Sequence, residues 1–193
     1  ALSNTTFMCE VYAWGGDGVG IMELDNMTLL GNTVCAATDH GDYSGFTDAT
    51  QLADAAIRIG TLATDMETSN PSNGTATGDD LTGDDEDLTM PAFTVGTATT
   101  LTVPVTITAA SLSGSTSRLN VFVDWNGDGD VSDTSETQTV QTVTASGNRT
   151  FSITPPAGTF NGTKYLRIRF TEGATAPAFS ADSALKGEVE DYA

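Results

Sequence analysis

Asp124, Asn126 and Asp128 stand at alternate positions in VFVDWNGDGDVSDTSE, residues 121–136, followed by Gly129, Asp130, Asp133 and Glu136. Hard divalent cations take about six to eight oxygen ligands at short range, and a tight loop can supply several of them. The first half of the stretch has the D-x-N-x-D-G order of a calcium loop, with Asp124, Asn126 and Asp128 as side-chain ligands and Gly129 permitting the sharp turn. A helix–loop–helix calcium site would close with a glutamate at the twelfth loop position, which here is Ser135; Glu136 comes one residue late. The stretch also leaves a β-prone run, Val121–Asp124, instead of a helix. The expectation is a calcium loop on a β scaffold. The competing reading is a solvated acidic turn, since Asn, Asp and Gly favour turns in any case. Five carboxylates in thirteen residues repel one another without a counter-ion.

The elements that must hold this loop are strands. Leu101, Val103, Val105 and Ile107 alternate with polar residues and Pro104, which reads as a half-buried strand near a sheet edge. Leu119–Asp124 leads into the acidic loop. Thr137–Val143 and Arg149–Thr154 read as a hairpin across residues 145–148. Tyr165–Phe170 sets Leu166, Ile168 and Phe170 on one face and Arg167 and Arg169 on the other. Those arginines are two of only seven basic residues and are expected to face carboxylates. Strands at this spacing, separated by turn residues, predict an all-β antiparallel β-sandwich with long acidic calcium-binding loops. One short helix is expected near residues 51–57.

Two domain-like stretches are expected. Residues 1–38 form a β-prone segment holding Cys9 and Cys35, a donor strand or edge hairpin; residues 39–193 form the sandwich, and the whole is read as one compact unit. An even cysteine count in an acidic, lysine-poor chain suits a Cys9–Cys35 disulfide formed in an oxidising compartment, the alternative being two separate buried thiols. The chain opens at Ala1 without an initiator Met, as after removal of a secretion signal, so an extracellular location is expected. N-x-S/T sequons at Asn4, Asn26, Asn73, Asn148 and Asn161 are glycosylation candidates if the source glycosylates.

With 26 acidic and 7 basic residues the 193-residue chain carries a formal charge of −19. Nucleic acid and anionic membrane surfaces are therefore poor partners. No apolar run approaches the roughly 18 residues of a membrane span. Much of the charge lies in two clusters, Asp124–Glu136 and Asp79–Asp87, the latter with six acids in nine residues. His40 is the sole histidine, there is no Gly-x-Ser-x-Gly elbow, and zinc ligands are lacking. No enzymatic activity is expected.

The closing GEVEDY, residues 187–192, together with VDWNGDGDVSD, residues 123–133, resembles the GEVED domain, a module of secreted and cell-surface bacterial proteins. The resemblance extends upstream. DHGDYSGFTDA resembles the family's D-Y-G-D-A-P segment, with His40 and Tyr43 departing from it. IGTLATDME resembles L-G-x-x-x-D-x-E, and GDDLTGDDEDL resembles G-D-D…D-D-E-D-G with Leu88 where Gly is usual. Together these cover residues 39–192. The resemblance implies an extracellular β-sandwich with bound calcium and no catalysis of its own. Carried over, the acidic positions are Asp65, Glu67, Asp80, Asp85, Glu86, Asp87, the 124–136 loop, Glu188, Glu190 and Asp191. Glu188 and Glu190 alternate on a strand and share a face, where a cation or Arg167 and Arg169 would balance them.

The family's last strand usually runs past the Tyr, so a shortened strand ending at Ala193 would leave an open edge. Another subunit could fill that edge with an extended segment, and Leu2–Tyr12 is the natural donor. The functional expectation is a calcium-stabilised structural or adhesive module, a subunit of a surface adhesin or filament that self-associates or sits beside other surface domains. The alternative is a glycan-binding module beside a secreted enzyme, with Trp14, Trp125, Tyr12 and Tyr43 as stacking candidates, although packing is the favoured role for Trp125.

Overall fold

Alternation is what turns this chain into sheets. Leu101, Val103 and Val105 are buried while Thr100 and Thr102 beside them are exposed. The structure, a computed structural model, describes residues 38–62, 64, 66–67, 69–78, 88–108, 116–158, 162–183 and 185–193. All lie within one compact unit, Val34–Ala193. The strands are β1 (Thr38–His40), β2 (Thr50–Leu52), β3 (Ile57–Ile59), β4 (Thr99–Ile107), β5 (Ser117–Asp124), β6 (Gln141–Val143), β7 (Gly147–Ile153), β8 (Tyr165–Glu172) and β9 (Gly187–Tyr192). They form sheets β3-β4-β7 and β6-β5-β8-β9 and a separate β1-β2 pair, antiparallel throughout.

The two larger sheets share one core. Ile57, Ile59, Leu101, Val103, Val105, Phe151 and Ile153 come from the first; Leu119, Val121, Val123, Val143, Leu166, Ile168 and Phe170 come from the second. Burying each such side chain is worth about 1.5–3 kcal/mol, so this joint interior is what holds the sheets together in a sandwich-like arrangement. The fold is all-β, and no helix occurs among the described residues.

The four-stranded sheet is covered on its other face too. Leu166, Ile168 and Phe170 of β8 point to the core, yet Arg167, Arg169 and Thr171 on the opposite face are just as buried. Over them lie β1, β2 and the segment 174–183. Arg169 donates from Nη1 to the carbonyls of Ala178 (2.7 Å) and Ala181 (2.9 Å) and from Nη2 to that of Thr50 (3.0 Å). Arg167 donates from Nη1 to the carbonyls of Thr47 (2.8 Å) and Phe179 (3.1 Å). Its guanidinium also sits over the rings of Phe46 (5.2 Å) and Phe179 (5.1 Å). Cover segments with few apolar side chains are thus tied down by forked donors reaching their carbonyls.

Three local expectations are corrected. No helix forms at 51–57: Gln51 lies in β2, paired with Asp39, and Asp54 builds a turn by accepting Ala56 N at its side chain (2.8 Å) and Ile57 N at its carbonyl (3.1 Å). Ile57 and Ile59 then alternate inward as a strand. Residues 137–143 and 149–154 do not form a hairpin: β6 pairs with β5 and β7 with β4, so the chain crosses between sheets at residues 144–146. A crossing puts both Val143 and Phe151 in the shared core, which suits a two-sheet interior. Pro104 lies on the central strand β4, not near an edge. Its carbonyl accepts Gly60 N (2.8 Å) just where β3 ends, and the Gly60 carbonyl, which its missing N–H cannot serve, accepts the Thr106 hydroxyl instead (2.7 Å).

Candidate metal-binding loop and the carboxylates around it

The acidic loop leaves β5 at Asp124 and returns at Thr137, which bridges to Phe122. Its base is buried and its tip is exposed. Asp124 and Glu136 are 3 % and 1 % exposed, whereas Asn126, Asp128, Asp130 and Asp133 face solvent. Asp124 organises the turn: Oδ1 accepts Gly127 N (2.6 Å) and Oδ2 accepts Gly129 N (3.0 Å). Gly129 has φ of 86°, and a Cβ there would stand 2.7 Å from the Gly45 carbonyl oxygen, so both conformation and space call for glycine. Glu136 closes the loop from the other end, accepting Trp125 N at Oε1 and Asp133 N at Oε2, each 3.0 Å. The one-residue offset of this glutamate therefore does not remove it from the loop. Its side chain reaches the main chain at both ends.

Burial raises the Glu136 carboxyl pKa above the ordinary glutamate range, and nearby Asp124 pushes the same way, against the main-chain N–H groups of Asp133, Trp125 and Asn126 that lower it. Asp130 goes the other way: the Ser132 main-chain N–H (2.8 Å) holds it below the ordinary aspartate range.

Three tip side chains converge on one point. Asn126 Nδ2 lies 2.8 Å from Asp128 Oδ2 and 2.6 Å from Asp133 Oδ2. An amide N–H₂ group thus sits where two carboxylates aim. The donor set is all oxygen once that amide turns to present Oδ1, which suits a hard cation such as calcium and not zinc. Trp125, 3 % exposed, packs inward against Phe93 (ring centroids 5.5 Å, interplanar angle 79°) and donates its indole N–H to the Ser135 carbonyl (3.1 Å). Packing is its role, as favoured from the sequence.

The remaining predicted carboxylates go elsewhere. The register pairs Arg167 with Asp191, Arg169 with Val189, Ile168 with Glu190 and Phe170 with Glu188. Asp191 shares the arginine face, while Glu188 and Glu190 point to the opposite face. Arg167, offered with Arg169 as the alternative to a cation for balancing Glu188 and Glu190, pairs instead with Asp191. Arg167 Nε donates to Asp191 Oδ1 (2.7 Å) and Nη2 to Oδ2 (2.8 Å), and Asp191 Oδ2 also accepts Tyr43 N (2.9 Å). Glu188 instead accepts the main-chain N–H of Ile59, a donor on the side of β3 away from β4. Gly187 is required by space: a Cβ there would overlap the Phe170 carbonyl oxygen and crowd Gln51 Nε2. Gly187, Glu188 and Asp191 of this motif thus each have a packing or bonding reason.

Glu67 is far from the loop in its contacts. It accepts His40 N at Oε2 (3.0 Å) and bridges to Thr38, pinning β1. Asn148 is exposed, and Asn73 uses its side-chain oxygen to accept Thr75 N (2.8 Å). Cys9, Cys35, Asp65, Asp80, Asp85, Glu86, Asp87, Asn4, Asn26, Asn161 and the donor stretch Leu2–Tyr12 lie outside the described residues. Among the described residues no group of three or more His, Cys, Asp or Glu side chains is placed to hold a metal ion.

Two residues of the DHGDY segment escaped site prediction. Asp39 accepts Val189 N and Asp42 accepts Gly78 N, both through side-chain oxygens. The pattern D-x-x-D beside a Tyr was their signal. Tyr43 itself stacks on Tyr165 (centroids 3.6 Å, interplanar angle 10°), next to the base of the acidic loop. The ring pair fastens this segment to the start of β8, which pairs with Asp124.

These features define an antiparallel two-sheet module with a carboxylate loop between adjacent β-strand segments and a cover sealed by buried arginines. Residues 118–193, from β5 through β9, match the family model of the GEVED domain. Comparison with curated proteins and with solved structures finds no match.

Proposed function

We propose that this protein is an extracellular, calcium-stabilised structural or adhesive module, a subunit of a cell-surface adhesin or filament. The observation that carries the reading is the convergence of Asn126, Asp128 and Asp133 above the buried carboxylates of Asp124 and Glu136. Calcium would take up the position the Asn126 amide nitrogen fills, turning Oδ1 inward. It would offset the mutual repulsion of the loop and so link binding to folding. β9 stands at the edge of its sheet, but Asp39 takes its Val189 N–H, so self-association by strand addition there would have to displace that carboxylate.

Terbium is the test, because it takes calcium's oxygen ligands and is excited through a nearby indole. Trp125 lies inside the loop. Excitation of tryptophan is expected to yield terbium emission that calcium competes away, and calcium is expected to raise the melting temperature relative to EDTA. Absence of both effects sinks the calcium reading. Particle size followed in parallel tests assembly: a monomer at every calcium concentration removes the filament reading and leaves a lone module.

A further inference from the structure

Gln51 and Thr171 stand apart from the carboxylate chemistry of the loop. Gln51 is wholly buried in β2, Thr171 is 3 % exposed in β8, and 120 residues separate them. The Gln51 Nε2 group donates to Thr171 Oγ1 at close range and also to the Phe170 carbonyl (3.3 Å). Its Oε1 accepts from Arg169 Nη2 (3.1 Å). A glutamine is an uncommon choice for full burial, since it loses rotamer freedom and must satisfy four hydrogen-bonding sites.

The same three residues resemble a reaction centre. A hydroxyl nucleophile lies against a carboxamide, and a fixed cation lies on the carboxamide oxygen. We propose that Gln51 and Thr171 form an intramolecular ester cross-link. Thr171 Oγ attacks Gln51 Cδ, and the charge that develops on Oε1 is met by the Arg169 guanidinium. In the tetrahedral intermediate the nitrogen becomes a basic amine, and it takes the Thr171 hydroxyl proton from the atom it already contacts. The C–N bond breaks, ammonia leaves, and the Cδ–Oγ bond remains. Nothing is oxidised or reduced, and no co-reactant is needed. Arg169 keeps its charge at neutral pH, with burial and Arg167 lowering its pKa only to about 10.

Two further features favour the forward direction. Both groups are held by packed strands, and such preorganised pairs reach effective molarities on the order of 10⁵ M or more. A cavity of about 130 Å³ lined by Gln51, Arg169, Thr171 and Asp182 adjoins the pair and gives ammonia a way out. Once in bulk water the ammonia is protonated and diluted, which opposes the reverse step. The product would fasten the β1-β2 cover to the four-stranded sheet by a covalent bond. That addition goes beyond calcium stabilisation and does not depend on it.

The experiment is intact-mass spectrometry of the full chain, incubated at neutral pH until the mass is constant, followed by peptide mapping. The expected mass is one ammonia below that of the sequence, with a peptide carrying Gln51 joined to one carrying Thr171. Hydroxylamine, which cleaves esters, should separate them. Thr171→Val should show the full sequence mass, and Thr171→Ser should again show the loss. A wild-type mass equal to the sequence overturns the proposal. So does an ammonia loss that persists in Thr171→Val, which would report ring closure at an asparagine instead.

Discussion

Arg167 and Asp191 form a two-pronged ion pair, Nε to Oδ1 at 2.7 Å and Nη2 to Oδ2 at 2.8 Å, in which neither side chain has any solvent exposure. The pair sits under Gly41, where a Cβ would stand 2.5 Å from Arg167 Nη2 and 2.9 Å from Asp191 Oδ2. A buried pair of this kind adds little over an apolar replacement of both partners, but removing one partner strands a charge in the interior. Asp191→Asn is therefore expected to destabilise the fold by about 3–5 kcal/mol. Denaturant unfolding measures it. Because Asp191 is occupied by an arginine, the loss should be equal in calcium and in EDTA; a loss seen only in calcium would make Asp191 a metal ligand.

Glycine at 187 is a matter of space and not of backbone conformation. Gly187→Ala drives a methyl into the Phe170 carbonyl, main chain that cannot swing aside. The expected cost is about 3 kcal/mol or more. Gly74→Ala is the control, since a Cβ there meets nothing within 4 Å. Melting temperatures of the two variants should differ widely. Equal values would mean that β8 and β9 adjust their spacing freely.

Glu136 gives the loop a pH signature. Its pKa is raised in the folded state, chiefly by burial. Folded protein therefore holds this proton to higher pH than unfolded protein does, and stability from this group is present at low pH. It is lost as pH rises from the ordinary glutamate range through the raised value. Without calcium, Glu136 thus opposes folding at neutral pH, and calcium is expected to reverse that contribution. Carboxyl-carbon NMR titration in EDTA should show Glu136 titrating above, and Asp130 below, the ordinary ranges of their types. A Glu136 midpoint at or below the usual value would show that its main-chain N–H donors outweigh burial.

The strands of the core were legible from period-two alternation, because one buried face leaves an unmistakable pattern at Leu101, Val103 and Val105 or at Leu166, Ile168 and Phe170. The arginines on the reverse of β8 were visible as oddities, yet their burial was not. A buried and a solvated Arg look alike in sequence, and only the cover segments distinguish them. Partnering failed at β9 for a similar reason: Glu188 and Glu190 are more conspicuous than Asp191, but strand parity gives the arginine face to the odd-numbered residue. The false helix at 51–57 arose where two short strands and an Asp54 turn imitate helical spacing. The hairpin across 145–148 failed because local turn residues say nothing about which sheet each arm joins. The acidic loop was legible as a loop, since alternating carboxylates and glycine encode its turns directly.

Asp133 and Glu188 separate metal chemistry from architecture. Asp133 is exposed and approaches Asn126 at the loop tip, while Glu188 is buried and satisfies the main-chain N–H of Ile59. Asp133→Ala removes a carboxylate whose absence relieves repulsion, so it should cost little in EDTA, within about 0.5 kcal/mol. It should erase most of the stabilisation gained from calcium and the terbium emission with it. Glu188→Ala leaves a buried donor unpaired and should cost about 1–3 kcal/mol in either condition, without altering terbium emission. Unfolding curves of both variants, with and without calcium, decide the matter. If Glu188→Ala loses its stability only in calcium, β9 supplies metal ligands and the division between loop and strand is wrong; if Asp133→Ala keeps the full calcium response, the cation binds elsewhere in the chain.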